Sequence, residues 1–338
     1  MEALAVNDAA TSGGELAGQS ILVTGAHGLL GSWLVKALLE AGASVVTIRR
    51  DEPALSTLEL LGLATRVDTV HGDIATEGLI ERALAEYEVD GVFHLAAQTL
   101  VGTANRSPLS TFETNIRGTW LVLEAARQHG VQRLVVASSD KAYGRQEELP
   151  YREDQQLRAR YPYDVSKAAA DMLARSYWHT FSLPVAVTRF ANLYGGGDTN
   201  RSRLIPEAVC AVLAGRPPVV RSDGSPERDF LYVEDAVRAY LALWQALGRG
   251  LGRGEAFNAG GGHAYRVGEI VQLICLLSGT EVAPDIRGRG TPHGEIDRQW
   301  VDASKLTELT GWRPQVDLKD GLQRTLEWYR DHPEMWQR

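Results

Sequence analysis

The stretch ILVTGAHGLLGSWLVKALLEAGASVVTIRRD, residues 21–51, constrains the fold more than any other part of the chain. A short apolar run leads into three glycines, Gly25, Gly28 and Gly31, at G-x-x-G-x-x-G spacing. Apolar residues three and four apart follow, and a second apolar run closes the stretch. The pattern predicts strand, tight turn, amphipathic helix and strand in that order. Glycine permits the turn and lets the backbone approach a pyrophosphate. The helix N-terminus then offers unpaired N–H groups and a positive dipole end. A dinucleotide site on Gly25, His27, Gly28, Leu29, Leu30 and Gly31 is the expectation. The alternative is an ordinary turn, because a glycine motif without its strand and helix says little.

The same alternation continues through the first half of the chain. Apolar runs at 20–24, 44–48, 69–71, 91–95, 134–137 and 184–189 read as buried strands. Helical periodicity at 29–39, 77–87, 114–129 and 166–181 separates them. Strand–helix alternation implies right-handed crossovers and a parallel sheet covered on both faces. The fold class is therefore α/β, a Rossmann-type doubly wound parallel sheet with a smaller C-terminal substrate-binding region. Residues 18–190 form the dinucleotide-binding domain in this reading, with 229–260 returning to it. Residues 191–228 and 261–338, rich in loop signals such as YGGGDTNR and RSDGSPERD, form the substrate region.

Composition excludes several other classes. With 338 residues, 44% of them hydrophobic, the chain can bury a full core. A net charge of −8 gives no basic footprint for nucleic acid or an anionic membrane. No apolar run approaches the ~20 residues of a membrane span. The first 19 residues lack a basic and an apolar segment of a secretory signal and read as a frayed leader, so a cytoplasmic protein is expected. Cys210 and Cys275, the two cysteines, sit in apolar helical segments and read as buried free thiols. The eight histidines show no ligand-like spacing, so no metal is expected, and His27 is a lone loop residue.

Arg49, Arg50 and Asp51 close the second strand, where an NAD site usually carries an acid for the ribose. Arginine there can instead meet a 2′-phosphate, which favours NADP over NAD. Equally, both arginines can lie on solvated surface while Asp51 takes the ribose. Asp73 and Ile74 follow the third strand near where an adenine would lie. Leu95, Ala96 and Ala97 end the fourth, small enough for a cofactor to pass close.

YPYDVSK places Tyr163 and Lys167 four residues apart on one helix face. An ammonium near a phenol favours phenolate and lowers the tyrosine pKa from about 10. Such a phenol can take a proton from an alcohol while a nicotinamide takes the hydride.

Together these residues resemble the extended short-chain dehydrogenase/reductase family, in particular its nucleotide-sugar epimerases and dehydratases. The resemblance runs over nearly the whole chain. T-G-x-x-G-x-x-G stands at 24–31, the family serine matches Ser138 or Ser139, and the family Tyr and Lys match Tyr163 and Lys167. RFANLYGGGD implies a substrate contact at Asn192, and RDFLYVED implies that Arg228 grips a nucleotide diphosphate. EIDRQWVDASKLTELTGWRP resembles the family's C-terminal substrate segment, with Arg298 a further contact, and Gln98 and Arg203 join the expected substrate residues. For each arginine a surface ion pair is the competing reading. The resemblance also implies a homodimer built through two helices, for which 114–129 and 166–181 offer apolar faces.

SSDKAYG, residues 138–144, separates the possible activities. Epimerases of the family carry a small or apolar residue before the Tyr-Gly turn, whereas 4,6-dehydratases carry a proton-transfer pair. Here Asp140 and Lys141 follow Ser139, a version that resembles CDP-glucose 4,6-dehydratases, while Arg49-Arg50 resembles the GDP-mannose branch. Oxidation at C4 acidifies the C5–H. A base must then take that proton while an acid protonates the departing C6 hydroxyl. Asp140 is assigned as the acid and Lys141 as the base, each tuned by burial. If the two pair instead, Lys141 is a charged stabiliser of the enolate. A solvated loop pair, a 4-epimerase, a sugar-acid decarboxylase and a non-catalytic NADP-binding regulator are the alternatives. The last conflicts with the intact Tyr-x-x-x-Lys.

Overall fold

A computed structural model of the chain describes residues 13–52, 55–290 and 296–337. Six strands follow the sequence-predicted runs closely: β1 Ser20–Thr24, β2 Ser44–Arg49, β3 Asp68–His71, β4 Gly91–His94, β5 Arg133–Ala137 and β6 Val185–Phe190. They pair in parallel in the spatial order β6, β5, β4, β1, β2, β3. A seventh strand, Glu255–Ala259, joins the β6 edge, also parallel. The chain direction of travel reverses between β1 and β4. In open α/β sheets the crevice at the carboxyl ends of such strands is where ligands bind.

Strand periodicity decides which residues go to which face. Ile21 and Val23 of β1 join one apolar cluster with Leu34, Leu38, Tyr240 and Trp244, whereas Leu22 joins the other with Val92, Val122 and Leu134. Helices Leu29–Glu40 and Val233–Gly248 cover the first face; Leu79–Glu86 and Gly118–Gln128 cover the second. Trp244 stacks on Phe93 of β4 with ring centroids 4.8 Å apart, which fixes Val233–Gly248 across the sheet. Each fully buried side chain of this kind contributes about 1.5–3 kcal/mol of transfer free energy.

Three expectations need correction. The second half is less loop-like than its glycines and prolines suggest. Leu204–Leu213, Val267–Ser278 and Leu318–Asp331 are helices around a separate core that includes Val209, Ile274 and Leu326. Glu255–Ala259 was not among the strand candidates, because buried Asn258 breaks its apolar run. Residues 1–12 of the expected frayed leader lie outside the described residues, but Gly13–Leu16 is a helical turn whose Leu16 is buried in the core. Cys210 and Cys275 are buried free thiols. No helix among the described residues is long and apolar enough to cross a membrane.

Candidate active site

One cleft of about 850 Å³ runs along the carboxyl ends of the strands into the C-terminal region. Its volume is of the size that ligand sites occupy. At one end stands the glycine turn after β1. Gly25 has φ +74, and a Cβ on Gly31 would come within 2.1 Å of the Gly25 carbonyl oxygen. Both positions therefore require glycine. A Cβ on Gly28 would meet only the Gly25 carbonyl oxygen, at 3.6 Å, so its face towards the cleft is open. Helix Leu29–Glu40 starts there with no side-chain cap, leaving its first N–H groups for a ligand. Across the turn, Thr24 Oγ1 accepts the Leu95 and Ala96 N–H groups, each at 3.2 Å, and contacts His94 Nδ1 at 2.8 Å. Burial holds the His94 pKa down to about 3, so this link is neutral. These residues fit the pyrophosphate and ribose of a dinucleotide.

The expected adenosine end looks different. Arg49 pairs with Glu52 at 2.8 Å and Glu59 at 3.0 Å. Arg50 pairs with Asp51 at 2.6 Å and approaches Asp73 at 3.8 Å. Four carboxylates, of Glu52, Glu59, Asp51 and Asp73, thus surround the two guanidiniums. Neither arginine lines the cleft, and nor do His27, Asp73, Ile74, Gln98 and Arg298. His27 Nδ1 contacts Ser56 Oγ at 3.1 Å, and burial lowers its pKa. Ile74 is buried where it would crowd any Cβ on Gly118. Gln98 serves backbone geometry: its N–H donates to Asn115 Oδ1 at 2.7 Å and its Oε1 accepts the Leu100 N–H at 3.0 Å. Arg298, expected to touch the nucleotide, instead pairs with Glu227 at 2.8 Å and lies over the Trp300 ring.

Helix Pro162–Phe181 and the turn after β5 bring the central group together. Tyr163, Lys167, Ser139, Asp140 and Lys141 all line the cleft. Lys167 Nζ donates to the Ala137 carbonyl at 2.8 Å, and burial lowers its pKa to about 8. The expected lysine–phenol effect is not what sets Tyr163. Burial raises the phenol to about 12, and the opposing influences are the Arg203 charge and a hydrogen bond with Ser139. Of the two candidate serines, Ser139 faces the phenol, while the Ser138 hydroxyl donates to the Lys167 carbonyl at 3.0 Å.

Asp140 is 2% exposed, and burial raises its pKa against the pull of Lys141 and Arg228. Ser139 Oγ accepts the Lys141 N–H at 3.2 Å and contacts Asp140 Oδ1 at 3.1 Å, fixing the turn from within. Below it, Tyr143 donates to Asn258 Oδ1 at 2.8 Å and accepts from Arg189 at 3.1 Å. Arg189 in turn holds Asp171 through two bonds of 2.7 and 2.9 Å.

The far end of the cleft carries Asn192, Arg203 and Arg228. Asn192 Nδ2 donates to the Asp229 carbonyl at 3.1 Å. Arg203 pairs with Asp198 at 2.9 Å and donates to Thr99 Oγ1 at 3.2 Å. Arg228 is buried and donates to the carbonyls of Glu227 and Asp297 at 2.9 and 3.0 Å. Two acids were missed. Asp164, beside Tyr163, lines the cleft and is raised to about 6 by burial, with Lys141 pulling it down. An acid in a first helical turn usually serves the dipole, which hides this placement. Asp229 is fully buried and raised to about 7, bonded to the Gly261 N–H at 2.8 Å. Its flag was a charged residue inside the apolar FLYV context.

A glycine turn at the switch point, with a Tyr-x-x-x-Lys helix facing it, defines a nucleotide-cofactor enzyme of the short-chain dehydrogenase/reductase kind. The chain belongs to the NAD dependent epimerase/dehydratase family, whose profile matches residues 21–260. It is 36% identical to a dTDP-glucose 4,6-dehydratase of Streptomyces antibioticus, covering 94% of each chain. It is 30% identical to a trifunctional UDP-glucose 4,6-dehydratase/UDP-4-keto-6-deoxy-D-glucose 3,5-epimerase/UDP-4-keto-L-rhamnose-reductase of Arabidopsis thaliana, covering 94% of this chain but only 48% of that one. Among solved structures, a dTDP-glucose 4,6-dehydratase of Streptomyces venezuelae with NAD bound superposes with TM-score 0.84 and 31% identity, covering 94% and 99% of the two chains. A UDP-glucose 4-epimerase of Thermotoga maritima superposes with TM-score 0.86 and 29% identity, covering 93% and 100%.

Proposed function

We propose that this protein is a nucleotide-sugar 4,6-dehydratase that converts a pyrimidine nucleoside diphosphate hexose to its 4-keto-6-deoxy product, with NAD as resident cofactor. One observation carries the reading. A buried carboxyl kept towards its neutral form, Asp140, stands beside Lys141 in the same cleft as Tyr163. A 4-epimerase needs the tyrosine and has no use for the pair.

Gly25, Gly28, Gly31 and the helix N-terminus hold the pyrophosphate, with Leu95–Ala97 alongside and Lys167 at the nicotinamide ribose. When bound, the cofactor supplies a reversible hydride store between C4 and C6 of the sugar. Tyr163 takes the C4 hydroxyl proton, aided by Ser139 and the Arg203 charge. The ketone so formed acidifies C5, and Lys141 removes that proton. Asp140 gives its proton to the C6 hydroxyl, which leaves as water. Lys141 later returns a proton to C5. The proton gained at Tyr163 and the one lost at Asp140 cancel over the cycle.

The far region, residues 191–228 and 261–338, holds the nucleotide, with Arg228 at the diphosphate and Asn192 and Arg203 towards the sugar. A pyrimidine base is supported by the dTDP- and UDP-named relatives and by the CDP-like SSDKAYG turn. The GDP reading leaned on Arg49 and Arg50, which are committed to acids. The same ion pairs support NAD over NADP. A homodimer is supported by the exposed apolar face of the 118–128 and 162–181 helices, where Trp120, Met172 and Phe181 are 42%, 64% and 51% exposed. Incubation with dTDP-, UDP-, CDP- and GDP-hexoses, followed by product mass, tests the assignment. Loss of one water from a pyrimidine nucleotide sugar supports it, and an unchanged mass from all four overturns it.

A further inference from the structure

Gln299 lies on the short strand Arg298–Gln299 and is 0% exposed, and its amide makes no well-formed hydrogen bond beyond its approach to the Asp140 carboxyl. A buried amide this poorly satisfied is costly and calls for a reason. Its side chain faces the Asp140 carboxyl. There Oδ1 is engaged by Ser139 at 3.1 Å, while Oδ2 is buried without a hydrogen bond. The two ends of one buried amide and the buried Oδ2 therefore meet at the group that the proposed chemistry uses as its acid.

The backbone fixes this approach. Gln299 is in register with Arg228, and its carbonyl accepts the Asp229 N–H at 3.1 Å. The next carbonyl, of Trp300, accepts the Tyr151 N–H at 2.9 Å. Lys141 on the same turn, Arg228 and Asp229 from the adjoining strand, Tyr163 and Asp164 from the tyrosine helix and Tyr151 from the loop also face Asp140. Lys141 and Arg228 favour its carboxylate, whereas Asp164 and Asp229 oppose it. Gln299 is the uncharged amide among them.

We propose that Gln299 is a positioning residue that serves Asp140 in both of its protonation states. This rests on the dehydratase reading. An acid that loses and regains a proton in every turnover needs a neighbour able to accept and then donate. The amide Oε1 accepts from the neutral carboxyl before proton transfer, and Nε2 donates to the carboxylate afterwards. A carboxylate cannot donate, and an alkyl chain can do neither.

The test compares the cofactor-loaded protein with Gln299→Met, which keeps length without the amide, and Gln299→Glu. Asp140 acts only while protonated, so kcat falls as pH rises through its pKa. Gln299→Met removes both bonds, and because the one to the charged carboxylate is the stronger, this alkaline limb moves up, by about one unit. The plateau drops about tenfold, short of the ~10²–10⁴-fold contribution of a general acid. Gln299→Glu moves the limb up further, because two carboxyls then share a site, and it decides the matter if Gln299→Met does not fold. A limb unmoved in the folded variants, with wild-type protein active, overturns the Gln299 proposal alone. Wild-type protein that releases no dehydrated product overturns the dehydratase reading, and this proposal with it.

Discussion

Asp140 and Lys141 are adjacent in the chain and form no ion pair: the carboxyl turns inward to Ser139 Oγ, at 3.1 Å, while Lys141 lines the cleft. The two side chains are therefore free to hold opposite roles. Lys141→Ala is expected to keep cofactor binding and C4 oxidation and to lose elimination, by the ~10²–10⁴-fold of a general base. Single-turnover absorbance of reduced nicotinamide, with product mass, separates these steps. Full retained activity would place the lysine outside the chemistry.

The Arg203 charge opposes the burial that raises Tyr163. The phenol stands near 12, raised by burial and lowered by the Arg203 charge. In the proposed chemistry Tyr163 acts as a base, so the rate is expected to climb as pH rises towards its pKa. Arg203→Ala removes a cation and moves that pKa up, which shifts the acid limb to higher pH and lowers the rate at a fixed pH by about tenfold per unit. Arg203→Lys restores part of the shift. A pH–rate profile for each variant checks this, and coincident acid limbs would dissociate the two residues.

Asp171 and Arg189 are 0% and 1% exposed in side chain and bonded twice beneath the SSDKAYG turn. Asp171→Asn leaves a buried guanidinium without its counter-charge. Denaturant unfolding should show a loss of about 3–5 kcal/mol. Because Arg189 also donates to Tyr143, activity should fall with stability.

The acids around Arg49 and Arg50 bear on cofactor choice. NAD is expected to bind more tightly than NADP to the cofactor-stripped protein. Arg49→Ala should change the two affinities equally, read by fluorescence titration. A selective loss of NADP would restore a phosphate role for Arg49.

Much of the architecture was legible because period-two and 3.6-residue patterns are strong in β1–β6 and the helices between them. Ser139, Asp140 and Lys141 stood out as candidates because charge and hydroxyl at a buried strand end break those patterns, and Tyr163 and Lys167 because of their four-residue spacing on a helix. The directions of the side chains were not legible. Four-residue spacing puts Lys167 on the face of Tyr163, but it does not reveal that the ammonium is spent on the Ala137 carbonyl and that the influential cation, Arg203, comes from 40 residues downstream. Arg49 and Arg50 could be read as phosphate ligands or as surface residues, and their approach to Glu59 and Asp73, which arrive from other elements, was not legible. Gln299 sits in a two-residue strand that no periodicity marks.

The central claim is tested most directly with a pyrimidine nucleotide hexose carrying deuterium at C4. The account predicts a product lighter by one water, with the 4-keto group formed and the deuterium now at C6. A product of unchanged mass, with C4 inverted and the deuterium still at C4, would contradict it.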